Sequence, residues 1–254
     1  MNRNMKTILK IVAVIVIAVP VLAFGWLWYS TAKNLASPTA EALAALVTDD
    51  SVTVEDGDWL IMRPGASTPT AGLILYPGAN CDIRGYAPLV RKIAAAGYLA
   101  IVVSMPFDFS IFAPDRADDV IAAFPEIQDW VIAGHSMGGA MAGRYAYHHA
   151  DELAGLILWD SYPPSANSLA DSSLPVLHIH RATQNGQPPQ KFEDMRQVFP
   201  ENSIWVPVPG GVHMYFGSFD GGGYVEQWAP QITRAEQHAT VIAATLEGLA
   251  NMVN

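Results

Sequence analysis

The chain has 254 residues, 51% hydrophobic and 15% charged, which is enough apolar material for one large folded domain and excludes global disorder. The formal net charge of −10 argues against nucleic acid as a partner, because an acidic surface repels phosphate backbones. The single cysteine, Cys81, excludes an internal disulfide and a cysteine-based metal site.

The N-terminus is basic and then apolar. Ile11 to Ala32 are 22 uncharged residues, long enough to cross a hydrocarbon core of about 30 Å as a helix. Three cations precede this stretch and one follows it, while Trp26 and Trp28 suit the headgroup zone at its far end. We therefore predict that residues 1–33 anchor the chain with its domain on the extracytoplasmic side. The alternative is a signal peptide cleaved near residues 30–32, which would make the protein secreted, although such apolar cores are ordinarily shorter.

The remaining chain alternates short apolar runs with helical patterns. Residues 34–51 are expected to form a linker with one short helix from Ser37 to Val47, and residues 52–254 the main domain. The predicted strands are Val52–Val54, Trp59–Met62, Ala71–Tyr76, Leu99–Val103, Trp130–Ala133, Leu153–Trp159, Val176–Ile179 and Ile204–Val208. The predicted helices are Ala87–Ala96, Asp115–Phe124, Ser136–His149, Lys191–Val198 and Glu226–Leu249. This order predicts an α/β fold whose mostly parallel eight-strand sheet carries helices on both faces, without a large lid.

A candidate nucleophile lies between a strand and a helix. Gly134, Ser136 and Gly138 form the pattern G-x-S-x-G. A serine in such a sharp turn is lifted clear of the sheet, and the following helix directs its N-terminal amides at developing negative charge. A small-residue turn that only packs a helix on a sheet is the competing interpretation. The apolar strand before Ser136 and the alanine-rich helix after it favour a nucleophile.

His213 is the candidate general base. It follows the last predicted strand and comes after the serine, as in the chain order Ser…acid…His. The alternative is a surface loop histidine. His135 precedes the serine directly and is expected to point away from the pocket.

Five segments together resemble the small bacterial α/β-hydrolases of the dienelactone-hydrolase-like branch, over about Val52 to Leu249. They are Tyr76-Pro77-Gly78-Ala79, Tyr86-Ala87-Pro88-Leu89, Met105-Pro106-Phe107, Gly134-His135-Ser136-Met137-Gly138-Gly139 and Gly210-Gly211-Val212-His213. The resemblance implies the α/β-hydrolase fold and an esterase-like activity on a small-molecule ester without a cofactor.

The loop after Tyr76 is expected to complete an oxyanion hole. The backbone amides of Ala79 and Met137 are the expected donors, so their side chains matter little. Asn80 either adds a donor or only suits the turn. Cys81 lies beside this loop and is more simply explained as inert filling.

The acid of the triad departs from the resembled pattern, because Asn185 occupies the position where this branch usually has aspartate. An amide cannot stabilise an imidazolium ion, and the equivalent change in a serine protease lowers turnover by about 10⁴. Asp160, at the end of a predicted strand, is the candidate for a relocated acid that orients His213; its alternative role is to cap the turn that follows. Glu193 and Asp194 are more remote candidates.

The sequence thus predicts a carboxylesterase-like serine hydrolase that cleaves an ester or lactone through an acyl-enzyme on Ser136, with no motif for a metal or a cofactor. Acyl transfer to another acceptor, peptidase or lipase activity would use the same residues. A non-catalytic binding module on the same fold is the rival from another class, and Asn185 favours it. A dehalogenase would require a carboxylate in place of Ser136.

Overall fold

The computed structural model describes residues 3–65 and 67–253. Residues 1, 2, 66 and 254, which belong to the expected anchor and domain ranges, lie outside the described residues. The helices are α1 (Arg3–Asn34), α2 (Ala40–Ala44), α3 (Ala87–Ala95), α4 (Ala117–Ala123), α5 (Met137–His148), α6 (Gln190–Asp194) and α7 (Arg234–Met252). The strands are β1 (Ala36–Pro38), β2 (Val52–Asp56), β3 (Trp59–Pro64), β4 (Ala71–Tyr76), β5 (Leu99–Val103), β6 (Asp129–His135), β7 (Gly155–Trp159), β8 (Val176–Ala182), β9 (Ile204–Pro209) and β10 (Phe219–Gly221).

Eight strands form one sheet in the order β2-β3-β5-β4-β6-β7-β8-β9. The β2-β3 and β3-β5 pairs are antiparallel, and every pair from β5-β4 to β8-β9 is parallel. The predicted mostly parallel eight-strand α/β sheet is therefore confirmed. Because parallel strands all point one way, their carboxyl ends meet along one edge, and ligand sites of open α/β sheets lie at that edge.

The sheet is buried on both faces. Side chains of β4 alternate between two apolar clusters, Leu73 and Leu75 on one face and Ile74 and Tyr76 on the other. Helices α3 and α7 cover the first face, and α4 and α5 cover the second. Continuous apolar strands are what burial on both faces requires.

Helix α1 stands apart from this core. Its apolar side chains are exposed; Ile17 is 67% exposed and Leu22 71%. Within the described residues it is the one helix long and apolar enough to cross a membrane, over Lys10–Asn34, and a signal sequence has the same properties.

Three predicted helices differ most from the structure. The helix expected over Lys191–Val198 ends at Asp194, and Arg196–Val198 form a 3₁₀ turn instead. The helix expected from Ser37 begins only at Ala40, with Thr39 as its N-cap, because residues 36–38 pair with β10 as a short strand. The helix expected from Glu226 begins at Arg234. A capping box of Thr233 and Glu236 fixes that start, and residues 226–233 are irregular.

Candidate active site

Backbone strain is concentrated at the carboxyl edge of the sheet. Among the residues that the structure describes, five other than glycine have positive φ angles, and each follows the end of β4, β5, β6 or β7: Asn80, Phe107, Asp108, Ser136 and Asp160. Such conformations cost about 1–3 kcal/mol each and persist where the surrounding structure enforces them. Their clustering marks this edge as the candidate site.

Ser136 occupies the sharp turn between β6 and α5, with φ 55° and ψ −124°. The glycines around it allow a close crossing of the chain. A Cβ atom at Gly138 would collide with the carbonyl of Tyr76, and one at Gly134 would collide with the backbone of Gly138. The G-x-S-x-G pattern thus holds the first turn of α5 directly against the ends of β4 and β6.

Asp160 contacts His213. It follows β7, which lies between the serine strand β6 and β8. One oxygen of its carboxylate, Oδ2, lies 2.5 Å from Nδ1 of His213, and both side chains are buried. Burial by itself would raise the pKa of Asp160, but the bond to His213 and the positive charge of Arg181 hold that pKa below its ordinary value. Because the carboxylate contacts Nδ1, the other ring nitrogen of the imidazole, Nε2, is not used in this contact.

Arg181 forms the other side of this arrangement, and no motif in the sequence indicated it. Its guanidinium is ion-paired with Oδ2 of Asp160, and its backbone N–H donates to Oδ1 at 2.9 Å. The same Nη1 lies 3.4 Å from Nδ1 of His213, and Nη2 donates to Oε1 of Gln227 at 3.1 Å. A buried carboxylate is costly unless it is paired, so Arg181 stabilises the charged form of Asp160.

The segment expected as the start of the last helix instead holds the His213 loop. The Glu226 carboxylate accepts hydrogen bonds from the backbone N–H of His213 at 3.0 Å and of Met214 at 2.7 Å. The indole of Trp228 donates to the carbonyl of Gly211 at 2.8 Å. Tyr224 stacks on the imidazole, with 4.1 Å between ring centroids. In an α-helix from Glu226, the side chains of Glu226 and Trp228 would point to different faces, because residues two apart do not share one.

The loop after β4 is tied to its neighbours by backbone bonds. Asn80 donates its N–H to the carbonyl of Asp108 at 2.9 Å and accepts the N–H of Ala36 at 2.7 Å. Among the described residues, the amides of Ala79 and Met137 donate to no protein acceptor. Two backbone donors beside Ser136 are thus available to a ligand.

Tyr86 connects this loop to the serine strand, a role that the sequence did not reveal. The hydroxyl of Tyr86 accepts the N–H of Gly78 at 2.8 Å and lies 2.9 Å from Nδ1 of His135. The expectation for His135 was wrong, because its ring lies under the cavity at 4.6 Å from the ring of His213. Complete burial lowers the pKa of His135, and the charge of a protonated His213 lowers it further. His135 is therefore a neutral support for the neighbouring imidazole.

Two cavities meet at Ser136. The first, of about 280 Å³, is lined by Asn34, Asn80 and His135 among others, and the second, of about 430 Å³, by Met137 and Arg181 among others. Both cavities are also lined by Ser136, His213 and Tyr224. The structure therefore brings the serine and the imidazole to one space, although these two described side chains form no hydrogen bond with each other. Such bonds are often long without a ligand and tighten in the substrate complex.

The other acid candidates lie elsewhere. Asn185 is in an exposed turn after β8, and Glu193 and Asp194 are exposed on α6, where they bond Arg196 and Gln190. Cys81 is buried beside the loop after β4, and burial raises the pKa of its thiol to about 12. A thiol held in its protonated form suits a packing role.

Comparison with known proteins gives a consistent picture of the fold. A sequence model described as the alpha/beta hydrolase family matches residues 72–237, more than half of the chain. Curated protein sequences give no significant match.

Three solved structures illustrate the similarity. A ferulic acid esterase from Streptomyces cinnamoneus has a TM-score of 0.56 and 22% identity, covering 74% of this chain and 68% of its own. Est1E from Butyrivibrio proteoclasticus has a TM-score of 0.55 and 14% identity, covering 79% and 99%. A bacterial membrane phospholipase A has a TM-score of 0.52 and 16% identity, covering 96% and 99%. At these identities the likeness is one of fold.

Proposed function

The chain belongs to the alpha/beta hydrolase family, and from this premise we propose that it is a serine hydrolase that cleaves carboxylic esters or lactones through an acyl-enzyme on Ser136. The observation that carries the proposal is the contact of 2.5 Å between Asp160 and Nδ1 of His213, beside a serine that shares both cavities with that imidazole. A base oriented by a carboxylate and adjacent to a strained serine is the arrangement that nucleophilic acyl transfer requires.

The first chemical step forms the acyl-enzyme. Nε2 of His213 takes the proton of the Ser136 hydroxyl while its oxygen attacks the carbonyl carbon of the ester. Asp160 stays ionised and stabilises the imidazolium ion that forms. The backbone amides of Ala79 and Met137 donate to the oxyanion. His213 then gives its proton to the leaving alkoxide, and the alcohol departs.

The second step releases the acid. His213 removes a proton from water, the resulting hydroxide attacks the acyl-enzyme, and the proton returns to Ser136. In this assignment Asp160 is the acid, and Asn185 in its exposed turn takes no part. The esterases and the phospholipase among the structural relatives support ester substrates.

Two finer assignments belong to the same proposal. The five resembling segments support membership of the dienelactone-hydrolase-like branch. The basic and then apolar N-terminus supports a retained membrane anchor, with the catalytic domain on the extracytoplasmic side.

The experiment that tests the catalytic proposal is labelling of the full-length protein with a fluorophosphonate probe, which attaches covalently to an activated serine. We expect labelling of the wild type, none in Ser136→Ala, and strongly reduced labelling in His213→Ala. Ser165→Ala is the matched control, since Ser165 is an exposed serine that lines neither of the two cavities. A wild type that is not labelled and does not hydrolyse short-chain esters would support the rival, a non-catalytic binding module.

A further inference from the structure

The loop after β5 presents apolar side chains to the outside. Ile111 is 57% exposed, Phe112 53% and Phe107 36%. We call residues 105–113 the aromatic loop. It is a fixed structure, because the ring of Phe112 packs against those of Phe107 and Phe109 with centroids 5.8 and 6.2 Å apart. The hydroxyl of Ser110 also donates to the carbonyl of Pro77 at 2.9 Å. Clustered apolar side chains of this size at a surface indicate an interaction site.

The aromatic loop contacts the apolar N-terminal helix. Phe24 of α1 and Phe107 pack edge to face, with 5.5 Å between ring centroids. Phe24 lies eight residues before Ala32, the end of the uncharged stretch, and so about 12 Å along the helix from that end. Trp26 and Trp28 follow it, and such aromatic residues favour the interface of a bilayer. A membrane that holds α1 therefore also reaches the aromatic loop.

The same loop lies beside the catalytic cavity. The carbonyl of Asp108 accepts the N–H of Asn80, which lines the cavity of Ser136. The end of α1 lines that cavity too, through Asn34, and Thr31 one turn earlier is only 5% exposed. The mouth of the site, the aromatic loop and the end of α1 thus share one side of the domain.

Charge excludes anionic lipid as the source of attraction. Residues 34–254 hold 10 basic and 24 acidic residues, so an anionic surface would repel the domain. Insertion of apolar side chains into a zwitterionic bilayer is the interaction that remains.

We propose that the aromatic loop inserts into the membrane that holds α1, and that the site therefore takes long-chain acyl esters presented by that bilayer. This inference rests on the proposed function, since it names the substrate class of the same site. A cavity that opens beside the bilayer receives a lipid ester without that ester first crossing water.

The activity test uses the full-length protein in phosphatidylcholine vesicles and two esters with the same leaving group. 4-Methylumbelliferyl oleate is dispersed in the vesicles, and 4-methylumbelliferyl butyrate is dissolved around them. We expect the wild type to hydrolyse both, with the larger kcat/KM on oleate. The exposed-residue substitution Ile111→Ser, which leaves the aromatic packing of the loop intact, should lower kcat/KM on oleate about tenfold and leave butyrate within twofold. Ile204→Ser is the matched control, because Ile204 is 53% exposed at the amino end of β9, far from the site.

The possible failures are distinguishable. Equal losses on both esters in Ile111→Ser, or no loss on oleate, would overturn the membrane proposal. So would a wild type that hydrolyses butyrate but not oleate. Absence of turnover on both esters and of fluorophosphonate labelling would instead overturn the proposed function.

A second measurement tests the docking without activity. Cys81 is buried, so a nitroxide label can be directed to Ile111→Cys or, as control, to Ile204→Cys. In phosphatidylcholine vesicles we expect the label at 111 to collide more with oxygen, which dissolves in lipid, than with a water-soluble nickel chelate. The label at 204 should show the reverse. Equal preference for the nickel chelate at both positions would overturn the proposal whatever the enzyme hydrolyses.

Discussion

The interiors of the parallel strands and their carboxyl ends are built in opposite ways. Within β4, β5 and β7 every residue is buried and all are apolar or glycine. Directly beyond the carboxyl ends of β4 to β7 lie a buried aspartate, residues with positive φ, and two backbone amides without protein acceptors among the described residues. The comparison indicates that buried apolar side chains in the strand interiors supply most of the stability. The candidate catalytic groups lie instead where the backbone is strained and packing is less favourable.

Asp160→Asn tests the carboxyl end with the largest expected effect. An asparagine keeps the shape but cannot stabilise the imidazolium ion of His213, so we expect kcat to fall by about 10⁴, equivalent to about 5 kcal/mol of barrier. Initial rates on a short-chain ester measure this. Asn185→Ala, in the exposed turn, should stay within twofold of the wild type. A normal rate in Asp160→Asn would remove Asp160 from the triad.

Leu73→Ala tests the interior. Leu73 is fully buried in the middle of β4, and its truncation leaves a cavity, so we expect the free energy of unfolding to fall by about 3 kcal/mol. Urea unfolding measures the loss, and kcat below the unfolding transition should stay within twofold. A large fall in kcat in the folded variant would contradict the separation of stability from chemistry.

Ser136→Gly should give the opposite result from Leu73→Ala. Glycine adopts φ 55° without steric cost, so removal of the strain should raise the free energy of unfolding by about 1 to 2 kcal/mol while hydrolysis is lost. Ser168→Gly is the control, because Ser168 has an ordinary φ of −63° and should lose stability on the same change. A destabilised Ser136→Gly would show that the turn carries no strain to release.

The smallest effect concerns pH and His178, an interior histidine of β8 packed between Phe199 and Trp205. Burial lowers the pKa of His178 well below its ordinary value of about 6.5. The folded state thus keeps it neutral, whereas the unfolded chain takes up a proton as the pH falls below about 6.5, and stability declines. The contribution of His178 to this decline in the free energy of unfolding is about 1 kcal/mol between pH 6.5 and 5.5. His178→Phe should reduce the measured decline by that amount; an unchanged decline would mean that His178 is protonated in the fold.

The difference between strand interiors and their carboxyl ends also explains which features could be predicted from the sequence. Strands β4 and β5 were predicted to the residue, because continuous apolar runs end at Pro77 and begin after Gly97. Ser136 and His213 could be named as candidates because local motif and chain order point to them. These signals are local, and a single sequence displays them.

The features that could not be predicted depend on contacts between segments that are distant in the chain. Arg181 reaches Asp160 only because β7 and β8 are neighbours in a fixed register, with Trp159 opposite Ile179. The irregular segment that holds the His213 loop was predicted as helix. Pro230 and the pair Thr233 and Glu236 were the local signals that the helix begins later.

The short pairing of β1 with β10 determines how far the N-terminus can be truncated. Thr39 and Ser218 share a hydrogen bond of 2.7 Å, and Ala36 donates its N–H to the carbonyl of Asn80 in the loop after β4. A fragment that starts at residue 34 keeps both links, whereas one that starts at residue 40 loses the bond of Thr39 to Ser218 and the bond of Ala36 to Asn80, which lines the first cavity. A fragment without the apolar helix should therefore begin directly at the end of that helix.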